Sequence, residues 1–166
     1  TQVLDVLIVA GGVEVFRSCS AAVKNWLQEL DRKGVQLGGI CTGAYVLAAA
    51  GLLDNYACSI HWESKAVLQE LFPLVQPNDN LFTVDRSRLT SAGGTAPLDM
   101  MINIIRSNFG PDLARAISEM FLLDRIRDEF DIQKVPLQNN LRIASKKLAE
   151  AISLMESNIE EPISLE

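Results

Sequence analysis

The sequence predicts an α/β fold with a mostly parallel sheet, and three observations carry that prediction. Leu4-Asp5-Val6-Leu7-Ile8-Val9 and Val35 to Ile40 are short apolar runs, the pattern of strands covered on both faces. Between them Val23, Trp26, Leu27 and Leu30 recur at helical spacing, and a strand-helix-strand unit implies parallel strands with a right-handed crossover. Each run then meets glycines, Gly11-Gly12 after the first and Gly38-Gly39 within the end of the second, so each strand ends in a sharp turn.

Composition narrows the class. At 166 residues, 48% of them apolar, the chain has the size of one domain with a substantial core. A net charge of −6 and a pI near 4.8 argue against direct binding of DNA or an anionic membrane by these residues. No stretch approaches a membrane span, and the opening residues lack a signal-peptide pattern. Cys19, Cys41 and Cys58 are an odd number without metal-ligand spacing, which fits free thiols in a reducing cytoplasm. That spacing gives no reason to expect a metal site, and no cofactor is expected, because the glycine pattern matches neither a dinucleotide fingerprint nor a P-loop.

The elements follow in order. A helix is predicted from about Ser20 to Lys33, closed by Gly34. After the second strand, Ala44 to Ala50 forms a helix that stops at Gly51. Ala57 to Ile60 reads as a short strand leading to His61-Trp62-Glu63 and a helix with Ala66, Val67, Leu68 and Leu71 that ends before Pro73. Leu81 to Asp85 and Arg88 to Ser91 flank Arg86-Ser87 as a hairpin, although the turn lacks the favoured glycine. Ala92-Gly93-Gly94-Thr95 breaks the chain before a helix apolar over most of its circumference, with Leu98, Met101, Ile102 and Ile105 on one face. Such a helix is buried between layers or against a partner chain. Pro111 opens a further helix, whose apolar side continues through Leu113, Ile117, Met120, Phe121 and Leu123 or Ile126, ending in a mixed-charge, solvated run from Asp124 to Asp131. A linker covers Ile132 to about Asn140, and a last helix runs from about Ala144 to Asn158. Two parallel strands and a hairpin are few for a doubly wound sheet, so further strands are expected from residues upstream of Thr1 or from another chain.

The chemistry concentrates at Gly39-Ile40-Cys41-Thr42-Gly43. This has the glycine-x-nucleophile-x-glycine form of a nucleophile elbow, with a strand before it and a helix after it. The Thr42 N–H and those of Gly11-Gly12 are candidates for an anion pocket. His61, the only histidine, also follows a strand end, so the two side chains can converge. Two readings of the corner stand: a Cys41–His61 nucleophile and base, or a pocket wall in which both residues recognise a ligand. The second is favoured, since buried thiols are usually inert and Glu63 at i+2 does not ensure an oriented third partner. Trp62 and Tyr45 each read first as packing residues, although an aromatic face that borders a pocket suits a cationic ligand. Asp99 and Glu63 are possible charge partners, with a solvated carboxylate as the default expectation for each.

Three segments together resemble a known family: Gly39 to Leu53, Ile60-His61-Trp62, and Leu89-Thr90-Ser91-Ala92-Gly93-Gly94-Thr95-Ala96-Pro97-Leu98-Asp99. They resemble the amidotransferase-like, PfpI-like sensor domain of AraC-family transcription regulators. Leu148 to Glu166 is similar to the lead-in to that family's helix-turn-helix domain. The resemblance implies a flavodoxin-like three-layer sandwich whose first strand or strands lie outside this chain. It implies a sensor and dimerisation domain at 1–131, a linker at 132–143 and a lead-in helix at 144–166. It further implies a cytoplasmic homodimer that reaches DNA only through the helix-turn-helix domain. The implied effector is a small amine, betaine or amino acid, carnitine, glycine betaine and arginine being effectors of related regulators. The candidate ligand-binding residues are Gly11, Gly12, Cys41, Thr42, His61 and Trp62. A cysteine hydrolase or amidotransferase using Cys41 and His61 is the alternative. The apolar helices after Thr95 and Pro111 are the expected dimer interface.

Overall fold

A computed structural model describes residues 4–15 and 19–133, together with Glu150, Ala151 and Leu154. The elements run β1 (Val6–Ala10), α1 (Ala21–Arg32), β2 (Gln36–Ile40), a 3-10 turn (Cys41–Gly43), α2 (Ala44–Ala49), β3 (Ala57–Ser59), α3 (Trp62–Leu71), β4 (Gln76–Asn78), β5 (Phe82–Asp85), β6 (Arg88–Ser91), α4 (Ala96–Phe109) and α5 (Pro111–Met120). The main sheet has the order β1-β2-β6-β5. β1, β2 and β6 are parallel, with Val9 opposite Gly39 and Ile40 opposite Ser91, and β5 is antiparallel to β6. The chain divides into two compact units, Thr1–Gln133 and Lys134–Glu166. In the second, Glu150, Ala151 and Leu154 are helical, and the remainder of the expected linker and last helix lies outside the described residues.

Strand alternation sorts the core into two layers. Leu7, Val9 and Leu37 face a cluster containing Leu27 and Leu30 of α1 and Tyr45, Val46 and Leu47 of α2. Val6, Ile8, Ile40, Phe82 and Leu89 face a second cluster with Ala96 and Met100 of α4. Helices therefore cover both faces of the sheet. α1 is started by Ser20, whose hydroxyl accepts the Val23 N–H at 3.3 Å.

The hairpin turn that lacked a glycine has a specific support. Arg86 takes the left-handed region (φ 53°), its guanidinium lies 3.6 Å from the Tyr56 ring centroid, and it donates to the Asn55 carbonyl at 2.7 Å. Beside it the buried Arg88 pairs with Asp31 at 2.7 Å and donates to the Leu52 carbonyl at 2.6 Å.

Three features differ from the sequence reading. β4 was not expected, since Gln76-Pro77-Asn78 is polar and holds a proline. It pairs parallel with β3 in a separate two-stranded sheet, and a polar network of Ser59, Asn78, Thr83 and Thr90 ties that sheet to β5 and β6. α5 stops at Met120, several residues earlier than its apolar pattern suggests. Leu122 adopts φ 54°, and the Leu122 and Leu123 N–H groups bond to the Glu119 and Ser118 carbonyls, a Schellman closure built without glycine. The run from Asp124 to Asp131 is not merely a solvated face, because Arg127 in its middle binds the buried Asp99.

Candidate functional site

The parallel strands deliver the site. β1, β2 and β6 end side by side, so Gly11-Gly12, Cys41 and Ala92-Gly93 emerge at one carboxyl edge, where open α/β sheets place ligands. Cys41 has φ 55°, a left-handed conformation that costs a non-glycine residue about 1–3 kcal/mol and directs its side chain out of the turn. The corner is close-packed around it. A Cβ on Gly43 would stand 2.1 Å from the Val9 carbonyl oxygen, and one on Gly11 would stand 2.1 Å from the Gly43 nitrogen. Only glycines let the β1 end and the elbow touch.

His61 reaches the same place from the other side. A Cβ on Gly93 would meet His61 Cδ2 at 3.0 Å and Cys41 Sγ at 3.3 Å, so thiol and imidazole flank one small residue. Among the described residues no hydrogen bond joins them. The His61 Nδ1 lies 3.6 Å from Glu63 Oε2, beyond hydrogen-bond length, and the Glu63 side chain is 65% exposed. The Trp62 ring is tilted 33° to His61 with centroids 5.5 Å apart. Thr42 Oγ1 donates to the Gly12 carbonyl at 2.8 Å, locking the two turns together.

The structure thus brings Gly11, Gly12, Thr42 and Cys41 together and sets His61 and Trp62 beside them across Gly93. One element of the sequence reading changes. The Gly11 N–H is spent on the Ile40 carbonyl at 3.0 Å, so it is not a donor to an anion. The Thr42 N–H, at the opening of the 3-10 turn, has no intrahelical partner by geometry. Tyr45 is a packing residue, as the sequence suggests. It is buried, its hydroxyl donates to the Ser64 carbonyl at 2.9 Å, and burial raises its pKa. Asp99 is not solvated. Its side chain is 4% exposed and accepts from the Arg127 backbone N–H at 3.1 Å and from Arg127 Nε at 3.0 Å. Of the other thiols, Cys19 is half-buried, while Cys58 is buried and pushed up to about 12 by desolvation.

Two residues near the site carried no signal in the sequence. Arg127 also donates to Thr95 Oγ1 at 2.6 Å, at the start of α4. Gln133 bonds to the main chain on both sides of His61. Both lie in the segment between α5 and Lys134. That segment is further held by Arg125, whose hydrogen bond is the main cause holding the Asp131 carboxyl down to about 2, with the Asp128 N–H contributing. A carboxyl lowered on folding adds stability above the ordinary aspartate range and loses it as pH falls toward about 2. Asp131→Asn should therefore flatten the acid limb of a melting-temperature profile in that window and leave the neutral limb parallel to the parent.

A separate open cavity of about 520 Å³ lies along β1, lined by Leu7, Val9, Gly11, Gly12, Val23 and Trp26 among others. It touches the glycine turn but includes neither Cys41 nor His61. Among the described residues there is no cluster of metal-ligating side chains, and no helix is long and apolar enough to cross a membrane.

Comparison with known proteins places this arrangement. Residues 1–107 match the DJ-1/PfpI family. The chain is 50% identical over 163 residues to the HTH-type transcriptional regulator GbdR of Pseudomonas aeruginosa, covering 98% of this chain and 44% of that protein. It is 43% identical over 159 residues to the HTH-type transcriptional regulator CdhR of the same species, covering 96% and 47%. The chain therefore spans about half the length of the curated relatives it matches. A crystal structure of an AraC family transcriptional regulator from Pseudomonas putida superposes with a TM-score of 0.65 at 34% identity, over 71% of this chain and 63% of that one. An isonitrile hydratase from Pseudomonas putida is 28% identical over 116 residues, 69% of this chain and 50% of that enzyme. The fold is flavodoxin-like α/β, and the relatives named at 34–50% identity are regulators. The chain belongs to the DJ-1/PfpI family, in the form of that domain carried by AraC-like transcriptional regulators.

Proposed function

We propose that residues 1–133 are the effector-sensing and dimerisation domain of an AraC-type transcription regulator, and that the effector sits at the Cys41 corner. The observation that carries this reading is the histidine. His61 stands beside Cys41, but its Nδ1 faces an exposed carboxylate at 3.6 Å, and among the described residues no buried side chain bonds to its ring. A general base needs an oriented ring within reach of the proton it takes. A pocket wall does not. The ligand class is a small amine, betaine or amino acid, recognised by the Trp62 face, with Glu63 beside His61 offering a negative charge and the Thr42 turn accommodating a carboxylate. Gly11 contributes shape and Gly12 a carbonyl-anchored turn.

The effector acts by its differential affinity for two arrangements of the dimer. The interface is assigned to α4 and α5, where Phe109, Leu113 and Met120, with Phe121 and Leu122 just past α5, leave apolar side chains exposed. DNA is reached through the helix-turn-helix part that follows residues 144–166 in the whole protein, which works in the cytoplasm. The alternative, a cysteine hydrolase or amidotransferase, is favoured by one observation, the strained left-handed Cys41.

A thermal-shift screen of glycine betaine, carnitine, arginine and simple amines tests the reading. A compound at a hundredfold over its Kd should add about 2.7 kcal/mol, and the gain should vanish in Trp62→Ala. Absence of any shift across the panel contradicts it.

A further inference from the structure

The segment after α5 returns across the molecule and ends at the site. Asp131 accepts the Leu81 N–H at 2.9 Å, Ile132 bridges Asn80, and the Gln133 N–H bonds to the Asp79 carbonyl at 2.9 Å. The Gln133 side chain is then buried with its whole amide engaged. Oε1 accepts the Trp62 N–H at 2.9 Å, while Nε2 donates to the Ile60 carbonyl at 2.9 Å and the Asn80 carbonyl at 3.2 Å. The Trp62 N–H is one of the orphan donors that open α3. The amide therefore brackets His61, bonding the residue before it and the residue after it. Earlier in the same segment Arg127 holds Thr95 and Asp99, just beyond the Gly93 that separates His61 from Cys41. One segment thus bonds both to the main chain around His61 and to the start of α4, and its next residue, Lys134, begins the second compact unit.

We propose that Gln133 is a positioning residue that couples the main chain around His61 to the chain that follows Gln133. A ligand that moves the Ile60-His61-Trp62 backbone must carry the Gln133 amide with it or break buried hydrogen bonds, and either event disturbs the main chain at Gln133. The meaning of that signal rests on the sensor reading. The coupling itself does not, and it can be tested without an effector.

The probe is iodoacetamide on the chain carrying Cys19→Ser, in which Cys58 is shielded by burial and Cys41 is the thiol that reacts. Hydrogen exchange is followed by mass spectrometry on peptides covering 60–64 and 128–140, before and after carboxamidomethylation of Cys41. Both peptides should change in the parent. In Gln133→Met, which keeps the volume and removes the amide, the change should persist at 60–64 and be lost at 128–140. Gln133→Glu keeps the acceptor for Trp62 and loses both donors, so its response at 128–140 should fall between the two. It also decides the matter should Gln133→Met fail to fold. An equal response at 128–140 in the variants, or none there in the parent, overturns the proposal. A silent effector screen beside an intact exchange response would sink the sensor reading and leave the coupling standing.

Discussion

Gly43→Ala is expected to prevent the first unit from folding. The added methyl would stand 2.1 Å from the Val9 carbonyl oxygen, well inside any tolerated contact. Neither side can retreat: Val9 is fixed by pairing of β1 with β2 opposite Gly39, and Gly43 is held in the turn between β2 and α2. Relief would require separating the β1 end from the elbow, which also breaks the Gly11 N–H bond to Ile40 and the Thr42 bond to Gly12. The loss should exceed about 4 kcal/mol, against total stabilities of roughly 5–15 kcal/mol for ordinary domains. Urea denaturation, with soluble yield where the variant cannot be purified, measures it. Gly12→Ala is the internal control. A Cβ there meets nothing within 4 Å, so its stability should lie within about 0.5 kcal/mol of the parent.

Arg127→Ala carries the second large effect. Asp99 is buried on α4, and its carboxylate receives three hydrogen bonds from Arg127, one from the main chain and two from the guanidinium. Truncation leaves a buried carboxylate with only the main-chain donor. Breaking a buried pair from one side typically costs 3–5 kcal/mol, and the 31% exposure of the Arg127 side chain argues for about 3 kcal/mol, near the lower end. Asp99→Asn removes the charge and keeps an acceptor, so it should cost less. In the double variant the two losses should fall short of their sum, and a double-mutant cycle on urea midpoints reads the difference as the coupling. Strict additivity would mean that the pair contributes nothing to the hold of the return segment on α4.

The same two regions show what was legible in the sequence. Short apolar runs ending in glycines marked β1 and β2, because strands buried on both faces need uninterrupted apolar side chains. The elbow was legible because its glycines serve steric contacts that no other residue can make, as Gly43 and Gly11 demonstrate. His61 was placed beside Cys41 by the expectation that both follow strand ends, and the two do meet across Gly93. What stayed hidden depends on partners distant in sequence. Gln76-Pro77-Asn78 looks like a loop until Ser59, Thr83 and Asn78 are brought together. Leu122 closes α5 in a conformation usually left to glycine, so the helix end carried no local sign. Asp99 and Arg127 are 28 residues apart, and neither has local spacing that reveals the other. Gln133 gave no signal either, since a lone glutamine in a polar stretch is the ordinary composition of a linker.

The central claim is that the Cys41 corner recognises a small molecule without transforming it. The most direct measurement incubates the parent and Cys41→Ala with glycine betaine, carnitine and arginine, follows saturable binding by calorimetry, and assays both compound and protein by mass spectrometry. The account predicts that at least one compound binds both proteins with affinities within a few-fold and is recovered intact, with no adduct on Cys41. A Cys41-dependent product, a covalent adduct on its sulfur, or no saturable binding by any of the three would contradict it.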